Sequence, residues 1–284
     1  MKKNGSNKSK KLTIEIIKVV VLFCFGLIMM GPFIWMVSVS FERMANIQPP
    51  FPPRLFPKEF SFFNYEIILE NGSLLKAYFN SFIVALGSVA LNIFSALLAG
   101  YAFSKGVFKG KKLLFVIILA TMMIPGEITL IPMYMMFNKV GLLNTFYPII
   151  FPSLLFGFGI ILTKQYFDKL PNSLREAAQI DGASEVRIFT KIFLPLTGPI
   201  SATLIILSFM RSWNSFIWPM IVLSDQKLQT VPIYLASFSM EDGTRYAGLT
   251  MGLATASILP VIIVFLFLQK YIIQSVALSG LKGE

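Results

Sequence analysis

Several polar side chains lie inside long apolar stretches of this chain, and they could bind a polar molecule. Arg211, Asn214 and Trp218 recur at steps of three and four, which places them on one face of a helix. Glu127 and Asn92 lie in two other apolar stretches. The chain has no His and one Cys, and no paired carboxylates lie within these stretches. Acid–base or nucleophilic catalysis and histidine metal binding therefore lack the usual residues, and the sequence predicts no catalytic or metal site.

The apolar stretches define the fold class. The chain is 55% hydrophobic and only 14% charged, which is too little charge for a soluble protein of this length. Its apolar residues come in blocks of about 20, the length that crosses a bilayer as a helix. Lipid offers no hydrogen bonds to the backbone, so each block is predicted to be helical in an all-α membrane protein. The six predicted transmembrane helices are about residues 19–39, 80–103, 113–134, 143–163, 196–222 and 247–269.

The charges predict the orientation in the membrane. The net charge is +11, which in a soluble protein would favour nucleic-acid binding. Most of the Lys and Arg instead fall before the first predicted span, after the second, after the fourth and at the end of the chain. This bias places residues 1–18 and 274–284 in the cytoplasm as tails on either side of a permease domain, residues 19–273. We therefore expect the chain to lie in a lipid bilayer and to bind no nucleic acid.

Polar residues within the spans are candidates for the lining of a solute pathway. On the second span small and polar residues recur at steps of three and four, which fits a lining face or a seam of close helix packing. Glu127 lies either at membrane depth or near the outer interface. Arg211 is either part of a buried pair or in contact with a polar passenger, because a charge at bilayer depth needs a partner. The candidate lining residues are Ser88, Asn92, Ser95, Glu127, Arg211, Asn214 and Trp218.

The longest predicted cytoplasmic loop, residues 164–195, has signals for two short helices. Ser173 and Glu176 form a capping box that would start the first helix. Gly182 would end it, since glycine adopts the left-handed conformation freely. Ser184 would cap a second helix, which Pro195 would end. The prediction is a helix–turn–helix at the membrane surface.

The surface of this loop has two possible uses. Ala177, Ala178 and Ala183 are small enough for a groove of another protein to close around them. An apolar stripe would face the bundle or that partner: Val186, Phe189, Ile192 and Phe193. The alternative is an ordinary amphipathic helix lying in the interface.

The stretch EAAQIDGA, followed by Phe189 and Leu194-Pro195, resembles the EAA loop of ATP-binding-cassette importer permeases of the six-span type. Other stretches resemble the carbohydrate-uptake, maltose-type branch, and the likeness covers about residues 17–283. One departure is Ser215, where many members of that branch have an acidic residue after Trp-Asn, so Arg211 has no acidic neighbour in sequence. The stretches that carry the branch resemblance are Asn80-Ser81, residues 99–103, Trp213-Asn214, Trp218-Pro219 and residues 280–283.

The resemblance implies the type I importer permease fold, with the loop acting as a coupling helix that docks into an ATPase subunit. It also implies a second homologous permease subunit, two ATP-binding-cassette ATPase subunits and an extracellular solute-binding protein. The chain has no phosphate-binding loop, because Gly110-Lys111 is followed by Lys112. We therefore expect no bound cofactor, with ATP used by a partner subunit. The residues implied in coupling are Glu176, Ala177, Ala178, Asp181, Gly182, Ala183, Phe189, Leu194 and Pro195.

The expected function is that of a permease subunit of an ATP-driven sugar importer in a bacterial-type cell membrane. An importer of polyamine, phosphate or peptide remains the alternative within the class. A secondary transporter or channel is disfavoured because Glu127 is the only candidate intramembrane acid for ion coupling. A membrane-embedded enzyme is disfavoured by the missing catalytic residues.

Overall fold

The structure is a computed structural model that describes residues 3–48, 50, 52–70, 72–241 and 246–280. Within these ranges the regular structure is entirely helical, and no residue lies in a β-strand. In the described part of the chain five helices are long and apolar enough to cross a membrane, and a bent pair of helices makes a sixth candidate. The predicted fold class, a six-span all-α membrane protein, is confirmed.

We number the spans in chain order. Span one is Lys3–Ser40, with an apolar part from Ile14. Span two is Ser73–Lys105 and span three is the pair Lys111–Thr121 and Gly126–Lys139. Span four is Tyr147–Asp168, span five is Glu185–Trp213 and span six is Ala247–Gly280. The shorter helices are Arg43–Asn46, Phe63–Glu70, Ser173–Ile180, Ile217–Val222, Gln226–Leu228 and Val231–Glu241.

Three of the spans are irregular. Span three is bent by 102° at residues 122–125, between its two helices, and Pro125 directly precedes the second helix. Span four is built from helices Tyr147–Ile150, Phe151–Leu155 and Gly157–Asp168. Span five passes through Glu185–Ile188, a π-helix Phe189–Phe193, a 3-10 turn Leu194–Thr197 and helix Gly198–Trp213.

The chain divides into two compact units. The first comprises Met1–Asn71 and Ser237–Ser257. At its centre Asn64 is fully buried and donates to the carbonyl of Ser40 at 2.9 Å. Asn46 donates to Asn64 at 2.6 Å and accepts from the backbone N–H of Leu249 at 3.0 Å. The buried amide of Asn64 and the half-buried amide of Asn46 therefore join the end of span one, the helix Phe63–Glu70 and the start of span six.

The second unit comprises Gly72–Ala236 and Ile258–Glu284, and span two is its central helix. Span two packs closely on span four at Gly100, where an added Cβ would lie 2.1 Å from Oγ1 of Thr163. That hydroxyl donates to the carbonyl of Ala96 at 2.7 Å. Gly159 similarly lies against Ala96 and against Leu204 of span five. Small residues therefore let the three helices approach closely, as is usual in membrane proteins.

Candidate functional site

A cavity of about 560 Å³ lies within the second unit and collects polar residues from several helices. Six of the seven residues predicted to line a pathway lie around it: Ser88, Asn92, Glu127, Arg211, Asn214 and Trp218. Ser95 does not line it, and its hydroxyl donates to the carbonyl of Asn92 at 3.1 Å within span two. The polar residues that the sequence spreads over 130 positions thus converge on one site.

Broken helices form much of the cavity wall. Glu127 lies in the first turn of Gly126–Lys139, directly after the bend of span three. Arg211 lies in the last turn of Gly198–Trp213, and Asn214 follows it before the helix Ile217–Val222 begins. Each charge therefore lies at the helix end that favours its sign. Irregular backbone at membrane depth is tolerated where it lines a cavity, so these breaks fit a solvated site.

Two polar atoms of the cavity lining have no hydrogen-bond partner in the described part of the chain. Asn92 is 2% exposed and its Oδ1 is unpaired. The hydroxyl of Ser212 is also buried and unpaired. An unpaired buried polar group costs about 1–3 kcal/mol, so water or a polar solute in the cavity would stabilise both.

Arg211 projects into this cavity and into an adjoining cavity of about 740 Å³ that is mostly apolar. Its guanidinium lies 4.9 Å from the ring centre of Phe156, close enough for a cation–π interaction. No carboxylate of the described residues lies within ion-pair distance of Arg211. The alternative of a buried ion pair within the chain therefore does not apply to the described residues.

Trp218 has a packing role as well as a lining one. Its indole N–H donates to the carbonyl of Pro148 at 2.9 Å, and its ring lies 6.3 Å from that of Phe137. Trp218 therefore ties the helix after span five to spans three and four. Its side chain is fixed in place and would present a rigid surface to a solute.

The second candidate site is the segment 170–189, which we call the coupling segment. Its turn has the predicted geometry: Gly182 has φ +75° and the backbone N–H of Ala183 donates to the carbonyl of Ala178 at 2.9 Å. Ser184 caps the second helix by accepting from the N–H of Arg187 at 3.4 Å. The predicted helix–turn–helix is therefore present as Ser173–Ile180 and the start of span five.

Two predicted boundaries of this segment are wrong. Asn172, rather than Ser173, is the N-cap, and no side chain caps the helix, because Oδ1 of Asn172 accepts from Lys105 instead. Pro195 does not end the second helix, which continues into span five. Pro195 lies at the start of the 3-10 turn Leu194–Thr197, where its missing N–H needs no partner.

The coupling segment has a bundle face and an exposed face. Ala178 is 7% exposed and packs with Tyr101, Phe167 and Ile188. The expectation that a partner's groove closes around Ala178 is therefore wrong, because that position is already filled by the chain's own core. The exposed face includes Ile180, which is 86% exposed, and Val186, which is 73% exposed.

The other residues implied in coupling lie around this exposed face or at its edge. Glu176, Ala177, Asp181 and Gly182 are exposed, and Ala183 is half-buried. Phe189 is half-buried with its ring 5.1 Å from that of Tyr101. Leu194 and Pro195 are exposed at the 3-10 turn within span five. Their role in docking an ATPase stays a prediction.

Sequence reasoning missed the residues that hold the coupling segment in place. Glu185 accepts from the hydroxyl of Tyr101 at 2.9 Å, from Nε of Arg175 at 2.9 Å and from Gln179 at 3.1 Å. The bond to Glu185 is also the main reason why the pKa of Arg175 is raised above its usual value. Lys105 is 8% exposed and donates to the carbonyl of Leu170 and to Asn172, both at 2.7 Å. The sequence does carry a signal for these contacts, because Tyr101 and Lys105 are four positions apart and share one face at the end of span two.

The geometry defines the class as a multi-pass helical membrane protein with polar residues gathered around a cavity between its helices. The chain belongs to the family described as binding-protein-dependent transport system inner membrane component, which it matches over residues 91–278. The resemblance to importer permeases is thereby confirmed.

Relatives with assigned names include several permeases. The arabinooligosaccharides transport system permease protein AraQ of Bacillus subtilis is 37% identical over 80% of this chain and 81% of its own length. The trehalose/maltose transport system permease protein MalG of Thermococcus litoralis is 33% identical over 93% of this chain and 97% of its own. The lactose transport system permease protein LacG of Rhizobium radiobacter is 30% identical over 92% of this chain and 94% of its own length.

Solved structures agree with the fold. A chain of a bacterial ABC transporter that imports the acidic polysaccharide alginate superimposes with a TM-score of 0.81. It is 26% identical, and the match covers 92% of this chain and 97% of that one. A chain of an alginate transporter in complex with an alginate pentasaccharide-bound periplasmic protein has the same fold at 15% identity and a TM-score of 0.66.

Proposed function

We propose that this chain is the membrane-spanning permease subunit of an ATP-driven, binding-protein-dependent sugar importer. The observation that carries the proposal is the composition of the cavity of about 560 Å³. Around one Arg and one Glu it gathers hydroxyls, amides and aromatic rings. A cavity of this kind offers donors and acceptors to an uncharged molecule with many hydroxyl groups.

The charge balance of the cavity favours sugar over the other cargoes of the class. A polyamine carries several positive charges and would call for several carboxylates, whereas Glu127 is the only acid among the described residues that line the cavity. Phosphate would call for several cations or N–H donors, and within the described lining Arg211 is the only cation. The relatives named for arabinooligosaccharide, lactose and trehalose/maltose transport support the same choice.

The energy source is proposed to be a separate pair of ATPase subunits that dock on the coupling segment. The resemblance of residues 176–183 to the EAA loop supports this, and Ile180 and Val186 place two large apolar side chains on the exposed face of the same segment. We also propose a second permease subunit, an extracellular binding protein and an orientation with both termini in the cytoplasm. The Lys-rich ends and loops support that orientation.

Uptake by the assembled transporter tests the function. Proteoliposomes that contain this chain and its partner subunits should take up a labelled oligosaccharide when both ATP and the binding protein are supplied. Spermidine, phosphate and a short peptide serve as competitors. Competition by one of these three, with none by any arabino-, galacto- or gluco-oligosaccharide, would contradict a sugar cargo.

Asn92→Leu should lower sugar uptake about tenfold, because the substitution replaces an amide that hydrogen-bonds the cargo by an apolar group of similar size. The measurement is the initial uptake rate divided by the amount of transporter in the membrane. Ser95→Ala is the matched control, since Ser95 lies on the same helix away from the cavity, and its uptake should stay near wild type. Equal uptake by Asn92→Leu and the control would assign Asn92 to packing.

Cysteine crosslinking should map the exposed face of the coupling segment. In a Cys24→Ser background, a cysteine at Ile180 should crosslink to the ATPase, because this side chain is 86% exposed. A cysteine at Ala178 should crosslink at least tenfold less, because that position is buried in the chain's own core. Efficient crosslinking at Ala178 with none at Ile180 would reverse the assignment of the two faces.

A further inference from the structure

We infer that Tyr101 and Lys105 are positioning residues that fasten the coupling segment to span two and pass its movement to the cavity. This inference rests on the proposed function, in which the coupling segment is moved by an ATPase. Span two directs both side chains into this segment. Tyr101 and Lys105 are four positions apart on the last turns of span two, so they lie on one face.

The two side chains hold different parts of the coupling segment. Lys105 donates to the carbonyl of Leu170 and to Oδ1 of Asn172, which precede the first helix. Tyr101 donates to Glu185, which begins the second helix after the turn at Gly182. The segment is thus held before its first helix and after its turn by the same face of span two.

The carboxylate of Glu185 also ties the two helices of the segment to each other. It accepts from Arg175 and Gln179 of the first helix while it accepts from Tyr101. Apolar packing reinforces this arrangement, since the ring of Tyr101 lies 5.1 Å from that of Phe189. The segment therefore moves as one piece with the end of span two.

Span two is also the regular route from this segment to the cavity. It is one uninterrupted helix, and Asn92 lies nine residues before Tyr101, about 14 Å along the axis. The backbone route into span five instead passes through the π-helix Phe189–Phe193 and the 3-10 turn Leu194–Thr197. Such irregular turns often mark hinges. Span two thus carries the displacement rigidly to Ser88 and Asn92, while the irregular turns at residues 190–197, which follow the coupling segment, can flex.

The test is the number of sugar molecules imported per ATP hydrolysed, measured in proteoliposomes that contain the complete transporter. The double variant Tyr101→Phe with Lys105→Met removes the polar contacts and keeps the packing. We expect its uptake per ATP to fall about tenfold, while the ATPase subunits still copurify and hydrolyse ATP. Tyr101→Phe alone deletes one hydroxyl and should lower the ratio about threefold, which keeps the test available should the double variant not assemble.

Ser104→Ala is the matched control, because Ser104 lies on the same turn and donates to Asp168 of span four rather than to the coupling segment. Its uptake per ATP should equal that of wild type. An unchanged ratio in Tyr101→Phe would overturn the inference, as would loss of ATPase copurification in that variant, which would assign the hydroxyl to docking. Sugar uptake by the wild-type transporter is measured first, so a failed function is distinguished from a failed inference.

Discussion

Replacing Gly182 by proline is expected to abolish sugar uptake while the protein still inserts into the membrane. Gly182 has φ +75°, and proline fixes φ near −65°. Proline would also remove the N–H that donates to the carbonyl of Gln179 at 3.0 Å. The turn cannot keep its geometry, so the two helices of the coupling segment would lose their relative orientation. The spans do not depend on this turn for their own hydrogen bonds, so insertion should be unaffected.

Uptake and membrane content measured on the same vesicles check this result. Gly182→Ala is the graded variant, because no atom lies within 4 Å of the added Cβ and only the backbone conformation resists it. That strain is about 1–2 kcal/mol, so partial uptake is expected. Gly110→Ala is the control, since Gly110 has φ +81° with equally open surroundings but lies outside the coupling segment. Normal uptake by Gly182→Pro would exclude a coupling role for this turn.

The spans and the cavity could be predicted from the sequence because membrane helices follow a simple physical rule. A polar side chain inside an apolar block must face protein or water. The rule predicts that Asn92 and Arg211 face inward, and it leaves Glu127 either at membrane depth or near the outer interface. All three line the cavity. The turn at Gly182 could be predicted equally well, because its sequence signal is local and its conformation is one that glycine favours.

The details of the coupling segment could not be predicted because they depend on contacts that are distant in sequence. Asn172, rather than Ser173, is the N-cap of the first helix, and its side chain accepts a hydrogen bond from Lys105, which is 67 positions away in sequence. An alanine suits a partner's groove and a helical core equally well, so sequence alone could not show that Ala178 is buried.

The structure also leaves span one exposed along its apolar part, consistent with a helix that contacts lipid or another subunit.

Gly100→Val is expected to remove most of the folded protein, the largest effect on stability that we predict. An added Cβ would lie 2.1 Å from Oγ1 of Thr163, 2.6 Å from its Cβ and 2.9 Å from the backbone nitrogen of Lys164. No rotamer of Thr163 relieves a clash with its Cβ or with a backbone atom, so spans two and four must separate. Overpacking of this kind costs about 1–3 kcal/mol even where neighbours can shift, and here the neighbour is a helix backbone.

Separation would also break the hydrogen bond from Thr163 to the carbonyl of Ala96, which joins spans four and two. The monodisperse fraction in a detergent extract, followed by size-exclusion chromatography, measures the outcome. Gly26→Val is the matched control, because it adds the same side chain to an apolar span where no atom lies within 4 Å of the new Cβ. Equal monodisperse fractions for the two variants would mean that spans two and four are not packed through Gly100. Tyr101 follows Gly100 directly on span two and Lys105 lies five positions after it, so such a result would also remove the basis for a rigid link from the coupling segment to the cavity.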